Sequence, residues 1–232
     1  MEEKLKISSK EHGLGDTIIL TALSKYLTNK IVIQLPKKNE RFKVFFENLS
    51  EVEITDELKT PIEDIGDGHY ATRKLRNFFG KDADALDNRP LVIYSDIESE
   101  RWVTDYLKSI KKPVIFVPNC SLRHAQERNM PKNIAERALT ELRRQECTPI
   151  FCLSSKNLYK TDCENQLIDL DIKKYICLLR RVAVYFGCNT GDMHLAVAVG
   201  AMVNTFQPNV RGVTFNRVEW DYRHPSVKYF LW

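Results

Sequence analysis

Apolar and polar positions along the 232-residue chain fall into two alternating rhythms. Short apolar runs predict β-strands at Lys4–Ser8, Lys30–Leu35, Val52–Thr55, Leu91–Tyr94, Val114–Val117, Pro149–Leu153, Val182–Phe186 and Met202–Phe206. Between them, helical spacing predicts helices at Thr17–Thr28, Phe42–Leu49, Tyr70–Phe79, Ser99–Ile110, Lys132–Gln145, Asn157–Gln166, Ile172–Leu179 and residues 192–200. In the first of these, Ile18, Ala22, Leu23 and Tyr26 line one face. In the Ser99–Ile110 helix, Glu98 and Glu100 stand near the start and Lys108, Lys111 and Lys112 near the end, as the helix dipole favours. Glu57–Gly68 and residues 81–90 read as turns and loop. Alternation of strand and helix along the whole length predicts an α/β fold. The basic turn Lys111-Lys-Pro113 marks a boundary between residues 1–110 and 111–232. Each half opens with a strand and a polar turn, which predicts two Rossmann-like domains facing a central cleft. In such domains ligands bind where the strands end.

Composition narrows this picture without redirecting it. At 43% hydrophobic and 28% charged residues, the chain has material for a sizeable core. No apolar run approaches the roughly 20 residues that span a bilayer. The start, Met-Glu-Glu-Lys-Leu-Lys, lacks the apolar core of a signal peptide. The expectation is a cytoplasmic protein, or one peripheral on the membrane's cytoplasmic face. A net charge of +4 permits an anionic ligand without pointing to nucleic acid. The six cysteines show no zinc spacing, so reduced thiols, no metal site and no covalent cysteine chemistry are expected.

Three turns carry the candidate chemistry. The first lies between Phe186 and Gly200: an apolar run breaks into Cys188-Asn-Thr-Gly191, and a helix opens with His194 in its first turn. Backbone N–H groups at a helix start form an anion site, and phosphate is the expected anion. The alternative is a strand–turn–helix unit capped by Asn189 or Thr190 with no ligand. The second is Gly13-Leu-Gly-Asp16, which lacks the third glycine of a dinucleotide fingerprint. Asp16 either caps the following helix or serves as a proton acceptor for a substrate hydroxyl. The third is the loop Pro118–Pro131, where Arg123, His124 and Arg128 precede a helix. Arginine forks match phosphate oxygens, and a solvated basic loop is the plainer reading.

Gly13–Asp16 with its amphipathic helix, Glu127-Arg-Asn-Met-Pro131 and Asn189-Thr-Gly-Asp-Met-His-Leu-Ala196 together resemble, in that order, the ADP-heptose:lipopolysaccharide heptosyltransferases of glycosyltransferase family 9. The third element is the specific one, similar to that family's Asp-Thr-Gly-Pro-Met-His-Leu-Ala. The resemblance implies a GT-B arrangement of two Rossmann-like domains, the first of them reduced. It also implies metal-independent transfer of a hexosyl, heptosyl or pentosyl group from a nucleotide-sugar, which is a co-substrate, with no cofactor. Asp16 would be the general base. Gly15, Arg123, Arg128, Asn189, Thr190, Gly191, Asp192 and His194 would hold the donor and its phosphates, and His12 is a candidate acceptor contact. This chain departs from the family at Asn189 (for Asp), Asp192 (for Pro) and Met130 (for Trp), and is shortened between about Glu57 and Leu91.

The expected partners are therefore a nucleotide-sugar donor and an acceptor glycan, lipid-linked sugar or modified DNA. Two alternatives stand beside the leading reading: the same chemistry on a hydroxymethylated pyrimidine in DNA, and a nucleotide- or glycan-binding module without turnover. Trp220, Tyr222, Tyr229, Phe230 and Trp232 are expected to pack against the body of the protein.

Overall fold

The computed structural model describes residues 5–8, 14–26, 31–35, 37–56, 86–120, 128–155, 165–208, 222 and 224–231, with the backbone alone for 5–8 and Asp16. Two compact units emerge, Met1–Tyr94 with Val213–His224, and Ser95–Gly212 with Pro225–Trp232. The expected helices at Tyr70–Phe79 and, up to residue 164, at Asn157–Gln166 lie outside the described residues.

In the first unit, β1 (Leu5–Ser8), β2 (Ile31–Gln34) and β3 (Val52–Thr55) form a parallel sheet in the order β1-β2-β3. Ile33 stands in register with Ile7 on one side and Ile54 on the other. All four residues of β2 are buried, as a central parallel strand requires. Helix α1 runs over Leu14–Ile19 and tightens into a 3-10 helix at Leu20–Lys25. It starts three residues earlier than its apolar face suggests. Asp16 therefore stands inside the first turn and is not the capping residue, and a carboxylate is also favoured there by the helix dipole. Further along, Ile18, Ile19, Leu20, Ala22 and Leu23 are buried. The Thr21 hydroxyl donates to Ile18 O (2.7 Å) and accepts from the Leu91 amide (2.9 Å), fastening the helix to the 86–94 segment.

The helix expected at Phe42–Leu49 is instead a 3-10 helix over Lys37–Phe45. Asn39, Phe42 and Phe45 are buried at intervals of three, the period of that tighter helix. The rings of Phe42 and Phe45 stack at 5.7 Å.

The second unit is a doubly wound sheet. Strands β4 (Pro113–Val117), β5 (Thr148–Leu153), β6 (Gln166–Ile168), β7 (Val184–Cys188), β8 (Met202–Gln207) and β9 (Val227–Leu231) are all parallel, in the order β6-β5-β4-β7-β8-β9. Helices α2 (Ile97–Leu107), α3 (Lys132–Arg144), α4 (Ile172–Val182) and α5 (Gly191–Ala198) belong to the same unit. Helix α3 begins after Pro131, whose carbonyl accepts from Ile134 and Ala135. It buries Ala135, Leu139 and Leu142 against Val114, Phe116, Phe151 and Leu153. Each buried leucine contributes roughly 2 kcal/mol.

Helix α4 is capped by the Asp171 carboxylate, which accepts from the Lys173 and Lys174 amides at 2.9 and 3.4 Å. It stops where Ala183 turns left-handed at φ 59°, so β7 starts two residues later than its apolar run suggests. Helix α2 packs on α4 with an Arg180–Glu100 ion pair, which places it in the second unit although it precedes the Lys111–Pro113 turn. Three further elements depart from the sequence pattern. Leu91–Tyr94 forms no strand. Gln166 opens strand β6 rather than ending a helix, and part of the aromatic tail is the edge strand β9, with Phe230 stacked on Phe206 at 5.0 Å. Tyr222 is buried.

Candidate functional site

The strand order of the second unit reverses between β4 and β7. In open α/β sheets, ligands bind outside the carboxyl ends of the strands at such a switch point. Here β4 runs into Pro118-Asn119-Cys120 and β7 into Asn189-Thr190. The loop after β4 is closed at its base by two hydrogen bonds: the Met130 amide donates to Pro118 O (2.9 Å) and the Cys120 amide to Asn129 Oδ1 (2.8 Å). Cys188 is buried, and its thiol donates to the same Pro118 carbonyl at 2.8 Å. Burial pushes that thiol's pKa up, which keeps it a neutral donor.

Beneath the switch point the two strands are drawn together. A Cβ on Gly187 would come within 2.4 Å of Val117 O and 2.9 Å of the Tyr185 hydroxyl, so a side chain has no room there. The Tyr185 hydroxyl donates to Cys188 O at 3.0 Å.

The turn itself is fastened to β8. The Asn189 amide donates to Phe206 O (3.2 Å), and its side-chain amide to Gln207 Oε1 (3.1 Å). Thr190 occupies the position before α5 with extended backbone angles, where a threonine oxygen normally accepts from a first-turn amide. It does not do so. Its hydroxyl donates instead to Asp192 Oδ2 at 3.1 Å, and α5 has no side-chain cap from Thr190.

Asp192, the second residue of α5, is partly buried. Burial raises its pKa, and the Thr190 hydrogen bond, the nearby Tyr175 hydroxyl and its own amide pull the other way. The Tyr175 hydroxyl lies close enough to act on Asp192, yet meets no partner with hydrogen-bond geometry. Tyr175, Tyr185 and Cys152 are raised in turn, first by burial and then by the Asp192 charge.

Of the residues singled out from the sequence, Asn189, Thr190, Gly191, Asp192 and His194 share this turn, with His194 buried in the first turn of α5 and its amide donating to Thr190 O at 3.3 Å. Arg128 is partly buried at the base of the β4 loop. Gly15 and Asp16 lie in α1 of the first unit. His12, Arg123 and His124 lie outside the described residues. Sequence reasoning passed over Tyr175, Tyr185 and Cys152, and it ended the strand before Gly187, which lies within β7. The alternation of β7 puts residues 185 and 187 on one face, and a tyrosine in a buried strand needs a partner for its hydroxyl. That signal was legible for Tyr185, but nothing local to Tyr175 names Asp192 as its neighbour.

No protein-family model matches the sequence, and no curated protein sequence matches it. Solved structures do. The ADP-heptose LPS heptosyltransferase II of E. coli superposes with a TM-score of 0.60 at 10% identity, over 98% of this chain and 90% of that one. The family 9 glycosyltransferase of Veillonella parvula gives 0.67 at 9% identity, over 100% and 88%. The iron-containing dodecameric glycosyltransferase TibC of enterotoxigenic E. coli gives 0.61 at 13% identity, over 97% of this chain and 62% of TibC. The fold is that of the family 9 glycosyltransferases. Within it, the switch point of the second unit is where the Asn189–His194 turn and the Arg128 loop meet the sheet. Among the described residues no helix is long and apolar enough to cross a membrane.

Proposed function

We propose that the chain is a glycosyltransferase that moves a sugar from a nucleotide-sugar donor to an acceptor hydroxyl without a catalytic metal. The observation that carries this reading is the coincidence, at the switch point of the β4–β9 sheet, of a helix start that Thr190 leaves uncapped and an arginine-bearing loop. A departing nucleoside diphosphate needs its growing charge neutralised. Amides in the first turn of α5 and the Arg128 guanidinium supply that, with Arg123, Asn189, Gly191 and His194 as further donor contacts and Gly15 on the phosphate side.

The acceptor hydroxyl loses a proton as it attacks, and Asp16, in the first turn of α1, is the base assigned to it; His12 contacts the acceptor. The acceptor is a glycan, a lipid-linked sugar or a hydroxymethylated DNA base. Incubating the chain with radiolabelled nucleotide-sugars and each acceptor class separates these three. Replacing Asp16 with Asn lowers transfer by roughly 10²–10⁴-fold and leaves donor binding in place. Undiminished transfer in that variant removes Asp16 from the reaction, and donor binding with neither transfer nor hydrolysis in the unaltered chain identifies a binding module.

A further inference from the structure

Asp192 stands where the resembled signature carries proline, and its side chain competes for the donor turn. A threonine hydroxyl has one proton to give, and a carboxylate only accepts. The Thr190 proton is committed to Asp192 Oδ2 at 3.1 Å, so it is not available to a phosphate oxygen. An ionised carboxylate at the second residue of α5 would also repel a diphosphate at the same helix start, and repulsion is strong where water is sparse.

Thr190 at the turn bonds Asp192, and the Asp192 charge acts on Tyr175 from α4, Cys152 from β5, and Tyr185 and Cys188 from β7. These are hydroxyls and thiols, and no cation is among the described groups acting on its charge. One of them has an unused bond: Tyr175 is 6% exposed, and its hydroxyl, close enough to Asp192 to act on its titration, has no hydrogen-bond partner.

We propose that Asp192 is a positioning residue for the donor diphosphate, taking up a proton when the diphosphate binds and thereby releasing the Thr190 hydroxyl to it. This rests on the donor-binding reading of the Asn189–His194 turn. The proton comes from solvent and stays on Asp192 Oδ2, no other covalent bond changes, and three hydrogen bonds then run in one direction. The Tyr175 hydroxyl donates to Asp192 Oδ1, the protonated Asp192 Oδ2 donates to Thr190 Oγ1, and the Thr190 hydroxyl donates to a phosphate oxygen. The buried negative charge disappears as the ligand's charge arrives. Burial raises the pKa of Asp192, so its protonated form is easier to reach than that of an exposed carboxyl.

The test is calorimetric titration of the full chain with ADP, UDP, GDP and CDP in turn. Each is run between about pH 7.5 and 9, above the nucleotide's own phosphate protonation, in buffers of low and high ionisation enthalpy. The expected result is net proton uptake, up to one per nucleotide bound, with affinity falling as much as about tenfold per pH unit above the Asp192 titration. In Asp192→Asn the amide can donate to Thr190 permanently, so the uptake vanishes and affinity becomes flat with pH. Thr190→Val weakens binding by about tenfold. Binding without proton uptake in the unaltered chain overturns this inference and leaves the donor site standing. Uptake that persists in Asp192→Asn assigns the proton elsewhere and overturns it as well. No binding of any of the four overturns both readings. The measurement on the unaltered chain decides even if a variant fails to fold.

Discussion

Asp87 and Asp192 are both aspartates held by side-chain hydrogen bonds, and their surroundings push them in opposite directions. Asp87, in the first unit, faces cations. The Arg89 guanidinium grips both its oxygens at 2.9 Å, the Arg89 amide adds a bond at 3.0 Å, and Lys25 Nζ stands 3.0 Å away. The Arg89 hydrogen bonds, with help from Lys25, hold this carboxyl far below the usual carboxylate range despite partial burial. Asp192, in the second unit, faces hydroxyls and thiols, and burial raises it. The difference separates structure from service. Asp87 is compensated in place and fastens the 86–94 segment to the 3-10 helix of Leu20–Lys25, with Tyr26 donating to Asp87 O at 3.1 Å. Asp192 is left short of compensation beside the turn to which the donor phosphates are assigned, as groups at functional sites often are.

Gly187 is where this contrast is easiest to destroy, because the neighbours of Asp192 are held by the sheet. A methyl at Gly187 would sit 2.4 Å from the Val117 carbonyl, and backbone inside a parallel sheet cannot step aside as a flexible side chain can. Gly187→Ala is expected to lose about 3 kcal/mol of stability, measured by urea unfolding, because overpacking of this kind forces strands apart. A loss below about 1 kcal/mol would mean that β4 and β7 separate freely, and that the surroundings of Asp192 are not rigid.

Asp87 gives the next largest effect. Its side chain is 37% exposed, so solvent screening reduces what its ion pairs contribute. Asp87→Asn is expected to cost about 1.5 kcal/mol at neutral pH. Its folded-state pKa is depressed, so the contribution is present above the unfolded value of roughly 3.9 and is lost as pH falls toward the lower folded value. The cost of the substitution should therefore shrink in acid. A cost that stays constant between neutral pH and about pH 3 would show that the charge of Asp87 is not what matters.

Local signals made most of the elements legible. The Val114–Val117 run, the amphipathic Lys132–Gln145 segment and the small residues after Gly191 each carry their own period, and each became the expected strand or helix. The start of α1 was misread because Gly13-Leu-Gly-Asp16 has the composition of a turn, while the helix takes Gly15 and Asp16 into its first turn. Strand β9 was missed because Val227–Leu231 is short and aromatic and pairs with β8, a long-range partner that no local pattern names. The candidate site divides in the same way. The turn from Asn189 to His194 could be read from sequence, since strand, turn and helix are contiguous there. The order β6-β5-β4-β7-β8-β9, which brings the Arg128 loop beside that turn, could not, and neither could the approach of Tyr175 on α4 to Asp192 on α5. Contacts of that kind are fixed by how elements pack, and two residues that meet carry no shared mark in the chain.

The smallest effect carries the opposite sign and tests the other half of the contrast. The pKa of Asp192 is raised by folding, so the folded state favours its protonated form. Its stabilising contribution is complete below the unfolded carboxylate value of roughly 3.9 and is lost as pH rises through the higher folded value. At neutral pH the carboxylate is a liability, and Asp192→Asn should gain about 1 kcal/mol, since the amide keeps a bond to Thr190 without a charge to desolvate. The gain should disappear in acid, where the native carboxyl is already neutral. Thermal unfolding of the variants and the native protein across pH gives the answer. The Asp192→Asn curve lies above the native one at neutral pH and meets it at low pH, whereas the Asp87→Asn curve lies below at neutral pH and rises to meet it. If Asp192→Asn is destabilising at neutral pH, the carboxylate is compensated after all, the two aspartates are alike, and proton uptake at Asp192 on donor binding loses its physical basis.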